Sequence, residues 1–479
     1  MASRYVACAL SAATAGVLAG CSSPLHQPQE NPLLLDRTLP RGVSSASLSA
    51  YRRDGASSQS DQWTLSEASS PDDYIRYALY HSPAVESAYQ QWRVASERLP
   101  QVGSLPDPRL TFGYFVEEVQ TRTGPQNARI GLQQTIPWPG RLDDREDAAS
   151  KAAAAAWRRF EAARLMVAER VIVTLHELAY LDSTILATQG TLELTQTFEE
   201  VLRAQYRVGA GSHPELIRAQ VELGELEDRV LQLKAMRPAL VAELNAVLDR
   251  PASTEVPAMD QLPGRVAQAG AEGLVEIARR SNPVLLGLDE QVAEQQYMAQ
   301  AARKDGLPDL TVGVDYIFTG QALTPTTPGS GDDPIMLSVG INLPIWRDKY
   351  DAAVRESLAR RLSVASERAD QANRIGAAIH RAWFEHTDAD RRVRLYEQTL
   401  IPKAEESLRA SLAGFRGGET SFLDLLDTER TLLEFAVAVE RARADRGKAL
   451  ARLNTLVGEP VATDAQTPSP DPESTEVQP

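Results

Sequence analysis

LPDLTVGVDYIF, residues 307–318, decides how this chain is read. In an extended backbone Leu310, Val312, Val314, Tyr316 and Phe318 project to one side, and Thr311, Gly313 and Asp315 to the other, because side chains alternate with a period of two. The stretch has a counterpart in LPDPRLTFGYFV, residues 105–116, where Leu110, Phe112, Tyr114 and Val116 oppose Thr111, Gly113 and, just beyond, Glu117. A second alternating segment follows each. Ile130, Leu132 and Ile136 oppose Arg129, Gln133 and Thr135; Ile335, Leu337, Val339, Ile341 and Leu343 oppose Ser338, Gly340 and Asn342. One apolar and one polar face over about ten residues is the pattern of a membrane-spanning β-strand, and a half-buried soluble sheet shares it. Trp138 and Trp346 stand where a membrane boundary would fall.

The correspondence extends along the chain. His81-Ser82-Pro83 matches Ser281-Asn282-Pro283, Ile136-Pro137 matches Leu343-Pro344, and Leu244-Asn245 matches Leu453-Asn454, in unchanged order with an offset that drifts only from 200 to 209 residues. Ordered self-similarity on this scale means two copies of one unit, 71–250 and 271–460, joined by a linker at 251–270. Each unit predicts a helix (about 71–100; 271–303), two strands, a long helix (about 141–207; 347–416), a tight turn and a last helix (about 213–249; 421–457). Phe160, Ala163, Val167, Val171, Leu175, Leu178, Leu181 and Ile185 recur at helical spacing, as do Leu358, Leu362, Ala365, Ala369, Ala372, Ile375 and Ile379. Pro402 should kink the second long helix.

The chain has 479 residues, a formal net charge of -15, 43% hydrophobic and 24% charged residues. An acidic chain is a poor nucleic-acid binder. Two cysteines, Cys8 and Cys21, exclude a disulfide scaffold. No uninterrupted apolar run reaches the roughly 18–20 residues of a membrane-spanning helix. Residues 1–20 read as a secretory signal: Arg4, a short apolar stretch, then small residues ending in Leu18-Ala19-Gly20-Cys21. That ending resembles a bacterial lipobox, which implies cleavage before Cys21 and a covalent lipid on its thiol. Residues 21–70, rich in Ser, Pro and Gln, read as an extended tether, and 461–479 as a disordered acidic tail.

Four strands cannot close a barrel, since the smallest membrane barrels have about eight. An open edge in lipid would leave backbone N–H and C=O groups without partners. Membrane strands here therefore require several copies to share one barrel, and three copies give twelve strands. A 67-residue helix over 141–207 would span about 100 Å.

With the repeat, the turns Tyr206-Arg207-Val208-Gly209-Ala210-Gly211-Ser212 and Phe415-Arg416-Gly417-Gly418-Glu419-Thr420-Ser421, and the segments Leu105-Pro106-Asp107-Pro108 and Ile136-Pro137-Trp138-Pro139-Gly140, the chain resembles the TolC family of outer-membrane efflux channels over about residues 71–460. It is similar above all to the lipoprotein members, the heavy-metal branch more than the drug branch. The resemblance implies a mainly α protein with a membrane β-barrel portion: a homotrimer whose twelve-stranded barrel continues into a long α-helical barrel. It implies an outer-membrane, lipid-anchored protein reaching into the periplasm. A periplasmic adaptor (membrane fusion) protein would dock at the tips, Val208, Gly209, Ala210 and Gly417, Gly418, Glu419, and link it to an inner-membrane pump of the RND type. It also implies that Asp424 and Asp427, three residues apart on one helix face, form rings of carboxylate at the pore constriction. The second tip departs from the family pattern, with Gly417 in place of valine and Phe415 in place of tyrosine.

Pro137, Pro139, Gly140 and Pro344 mark strand-to-helix bends, where a missing N–H and a flexible residue redirect the chain. His176, His380 and His386 are isolated on predicted helices, with no zinc-helix spacing. No phosphate loop and no nucleophile–base pattern occurs, so no enzyme activity and no cofactor beyond the lipid is expected. The expected function is a passive exit duct for substrate delivered by pump and adaptor. The competing reading is a structural envelope-spacer or adhesin-stalk lipoprotein without a lumen, which leaves the paired amphipathic strands unexplained.

Overall fold

A computed structural model describes residues 65–66 and 69–464, apart from residues 210, 260, 261, 263, 268 and 325. These belong to one compact unit, Ser57–Pro479. The signal sequence, the lipidation site Cys21, nearly all of the tether, tip residue Ala210 and all but the start of the tail lie outside the described residues.

The first helical stretch is α1 (Pro71–His81), α2 (Pro83–Ser96) and α3 (Arg98–Gly103). The single helix expected there is broken at Ser82. Proline after it forces Ser82 out of the helical region, to φ -63° and ψ 120°. The corresponding stretch breaks the same way at Asn282, φ -65° and ψ 120°, between α6 (Ala271–Ser281) and α7 (Pro283–Asp305). The Asn282 side chain then caps α7, accepting from the N–H groups of Val284 and Leu285.

Strands β1 (Arg109–Thr121) and β2 (Gly124–Ile136) form a hairpin. The long helix α4 (Arg141–Arg207) has 67 residues and runs alongside α5 (His213–Val247). An 18-residue window of α4 reaches mean hydropathy 1.2, yet 56% of it is buried. Its apolar positions, Val171, Leu175, Leu178 and Leu181 among them, pack inside the molecule.

Strands β4 (Leu310–Thr319) and β5 (Ile335–Ile341) complete a four-stranded sheet in the order β1-β2-β4-β5, antiparallel throughout. A short ribbon pairs β3 (Arg265–Ala267) with β6 (Ala462–Asp464).

The second long helix is α8 (Arg347–Leu395), a five-residue π-helical segment (Tyr396–Leu400) and α9 (Ile401–Gly417), followed by α10 (Phe422–Val457). The kink expected at Pro402 takes this wider form: the ring cannot fit the preceding turn and the missing N–H removes a bond. Among the described residues, two apolar clusters anchor the helices at separate places. One joins Leu274, Ala278 and Leu285 to Ile375, Ile379, Leu450 and Leu453. The other joins Phe198, Leu202, Leu216 and Ala219 to Phe422, Leu425 and Leu426.

Candidate functional site

Three places along the chain bear on function: a sheet face, the junction below it, and the helix tips.

The apolar side chains of all four strands lie on one face and in register. Leu110 pairs with Leu132 and Phe112 with Ile130. Leu132 pairs with Val314 and Ile136 with Leu310; Val314 pairs with Leu337 and Val312 with Val339. Among the described residues no helix covers them: Val116 is 92% and Leu337 81% exposed. The outer edges of β1 and β5 have no ladder partner among the described residues. A broad exposed apolar sheet with open edges is not a stable surface in water.

Below the sheet each hairpin turns into a helix. Gly140 takes φ 77°, a left-handed conformation open to glycine, and a β-carbon there would fall 2.7 Å from Lys304 Nζ. Around it stands a network that sequence reasoning missed. Lys304 Nζ donates to the Gly140 carbonyl at 2.9 Å and pairs with Asp144 at 2.7 Å. Arg141, nearly buried, pairs with Asp309 at 2.9 Å and reaches Asp305 at 3.6 Å. Asp309 also accepts from the Trp138 N–H at 3.1 Å. Pro137 and Pro139 flank this N–H, so the bend is held from the other half of the chain. At the second bend Pro344 precedes Trp346, the N-cap of α8, and Arg347 donates to the Gly306 carbonyl at 3.1 Å.

The shared apolar core around Phe198, Leu216 and Phe422 brings the two tips together. Val208 and Gly209 are exposed, and Gly209 adopts φ 75°. Gly417, Gly418 and Glu419 are exposed as well, with Gly418 at φ 76° capping α9 through bonds to the Gly414 and Phe415 carbonyls. Phe415 turns inward, its ring 6.2 Å from that of Phe422.

Asp424 and Asp427 are both exposed on α10. Asp424 also closes a capping box: its Oδ2 accepts from Ser421 Oγ at 2.8 Å and from the Ser421 N–H at 3.2 Å. One turn further, Glu429 is only 2% exposed. Its Oε1 accepts from Thr195 Oγ1 of α4 at 2.9 Å, and among the described residues its Oε2 has no hydrogen-bond partner. Burial pushes this carboxyl up to about 7; the Thr195 hydrogen bond opposes the rise and the Glu222 charge adds to it. Glu222 of α5 is itself paired with Arg430. Glu429 falls in the stripe Phe422, Leu425, Leu426, Leu433, so a charged residue at a core position was its visible signal.

The three histidines are scattered. His386 is buried and ties β3 to the helices: the Ala267 N–H donates to its Nε2 at 3.3 Å, and its Nδ1 lies 3.1 Å from the Arg446 carbonyl. Burial lowers its pKa. His176 lies against Gly447 of α10, and burial takes it down to about 4. His380 is exposed, 3.6 Å from Glu272. Among the described residues no group of three or more His, Cys, Asp or Glu could hold a metal ion.

An amphipathic β-sheet with one exposed apolar face, carried on long paired helices, is an architecture shared with a known protein family. Residues 74–248 and 274–459 match the outer membrane efflux protein family, and the chain belongs to it. It is 22% identical over 348 residues to the cobalt-zinc-cadmium resistance protein CzcC of Cupriavidus metallidurans, covering 70% of this chain and 77% of that one. Nodulation protein T of Rhizobium leguminosarum bv. trifolii is 21% identical over 417 residues, covering 83% and 87%. Among solved structures, the outer membrane protein VceC of Vibrio cholerae superposes with a TM-score of 0.66 at 18% identity, covering 81% of this chain and 96% of that one. CusC, described as undergoing conformational changes with folding and transmembrane channel formation, gives 0.68 at 14% identity, covering 81% and 92%. The function that membership carries is efflux at the outer membrane.

Proposed function

We propose that three copies of the chain close one twelve-stranded barrel in the outer membrane, continue it as an α-helical barrel into the periplasm, and form a passive exit duct. The observation that carries this is the continuous apolar face bounded by two unpaired strand edges, β1 and β5. Lipid can cover the face, but only a neighbouring strand can satisfy the edges. The two units 71–250 and 271–460 then act as internal repeats, each giving two strands and one helical layer. Pro137, Pro139, Gly140 and Pro344 redirect tilted strands into near-axial helices.

At the far end, exposed Val208, Gly209, Gly417, Gly418 and Glu419 are the surface an adaptor protein would grip; Ala210, expected with them from the sequence, lies outside the described residues. Asp424 and Asp427 of three copies would ring the constriction and favour cations there. The sequence has no phosphate loop, and on this reading an inner-membrane pump of the RND type supplies the energy. A lipid on Cys21 would hold the assembly to the outer membrane. We take a heavy-metal ion as the cargo; the similarity to a protein named for cobalt, zinc and cadmium resistance supports this branch.

The test is direct. Detergent-extracted protein should give three-fold particles in projection images and ion conductance in planar bilayers. A monomer that stays soluble without detergent, or a filled rod that passes no ions, would refute the duct.

A further inference from the structure

Much of the polar face of the sheet around Gly131 is built of residues with short side chains or none, although Arg109, Gln133, Ile317 and Met336 share that face. Thr111 and Gly113 lie on β1, Gly131 on β2, Thr311 and Gly313 on β4, and Ser338 and Gly340 on β5. Against this low wall two charged side chains stand together. Asp315 is paired in register with Gly131, and Arg129, two residues along β2, is paired with Ile317. Arg129 Nε lies 3.8 Å from Asp315 Oδ1.

The two groups are not equally accessible. The Asp315 side chain keeps 5% of its surface and that of Arg129 49%. The carboxylate lies flat across the neighbouring strand, because position 131 has no side chain. A β-carbon there would fall 2.2 Å from Asp315 Oδ1 and 2.8 Å from Thr111 Oγ1. The glycine therefore leaves room for the acid against the wall, with the more exposed guanidinium beside it.

We propose that Arg129 is an internal counter-ion of the exit duct: it masks Asp315 so that cationic cargo is not retained in the barrel, and the pair sets the charge selectivity of that segment. The inference rests on the three-copy barrel, which turns the polar face inward. In that barrel the pairs form one belt of three carboxylates and three guanidinium groups. A bare carboxylate ring in a pore attracts and holds cations. A guanidinium within 4 Å cancels most of that attraction, because the two opposite charges act on a passing ion from nearly the same distance. A duct for positively charged cargo needs this more than a neutral one, since an exposed acid ring near the exit would slow release.

The experiment uses full-length protein in planar bilayers under a KCl gradient, with Mg2+ or Co2+ added on the barrel side. Arg129→Gln should move the reversal potential toward cation selectivity and make divalent block about tenfold more potent than in the wild type. Asp315→Asn should move selectivity toward anions, and the double substitution should return close to the wild type. Arg129→Lys, which keeps the charge, should leave selectivity unchanged. Selectivity and block that stay at wild-type values in Arg129→Gln would overturn the proposal while leaving the duct standing. If Arg129→Gln fails to assemble, Asp315→Asn decides: a shift toward anions supports the pair, and none rejects it. Wild-type protein that never conducts would instead sink the duct itself.

Discussion

Glu429 sits in the stripe of α10 that otherwise packs as Phe422, Leu425, Leu426 and Leu433, and it retains its proton well above the usual carboxylate range. An unfolded glutamate releases that proton near 4.5 and the folded one near 7. Between those values the folded state binds the extra proton, so stability falls as pH rises through the window and is flat above it. Glu429→Gln should therefore be more stable than the wild type at about pH 8, by at most about 3 kcal/mol per chain, and match it below about pH 4.5. Thermal unfolding at the two pH values checks this; an advantage that persists undiminished at the acid end would count against burial as the cause. Asp424 and Asp427 were legible in the sequence as a spaced pair. Ser421-x-x-Asp424 also has capping-box spacing, which the reading as a pair passes over and by which Asp424 is already engaged by Ser421. Asp427→Ala is thus the cleaner probe of the proposed constriction and, on that reading, should weaken multivalent-cation blockade of the pore without loss of stability. Asp424→Ala should also cost about 1 kcal/mol through its cap. Blockade unchanged in the double variant would remove the carboxylates from the constriction.

At the scale of elements, hydrophobic period and turn chemistry foretold most of what formed. The long helix over 141–207 and the strand faces around Leu310 and Leu337 follow from spacing alone. The breaks at Ser82 and Asn282 followed from Pro83 and Pro283, but were masked by helical periodicity on either side. The junction was not legible, because its partners are distant in sequence: Arg141 with Asp309, Lys304 with the Gly140 carbonyl. Removing Asp309 would leave the nearly buried Arg141 with only its longer contact to Asp305, 3.6 Å away, and take the acceptor from the Trp138 N–H. Asp309→Ala should then destabilise the bend by about 3 kcal/mol, seen as a lower unfolding temperature and faster proteolysis between β2 and α4. An unaltered protease pattern would show that Pro137, Pro139 and Gly140 hold the bend unaided.

For the whole molecule, the alternation within each strand could be read, but the pairing of β2 with β4 could not. It joins segments from the two halves of the chain, and no local pattern specifies it. The two faces of that sheet give a matched test. Leu337→Arg, on the exposed apolar face, should impair insertion into lipid vesicles, since a guanidinium at the bilayer midplane costs about 2–4 kcal/mol. Gly340→Arg on the opposite face should insert normally, because a β-carbon there meets only Thr311 at 3.9 Å. Equal insertion by both would mean that the apolar face does not meet lipid. The unpaired margins of β1 and β5 have a genetic consequence. On the proposed three-copy barrel, a chain whose strands are intact but whose tip is damaged would still be recruited into rings with healthy sisters. If the two kinds are made in equal amounts and mix at random in threes, only about one ring in eight escapes the damaged subunit. Such alleles should therefore behave as dominant, whereas alleles that spoil the strand margins should be recessive.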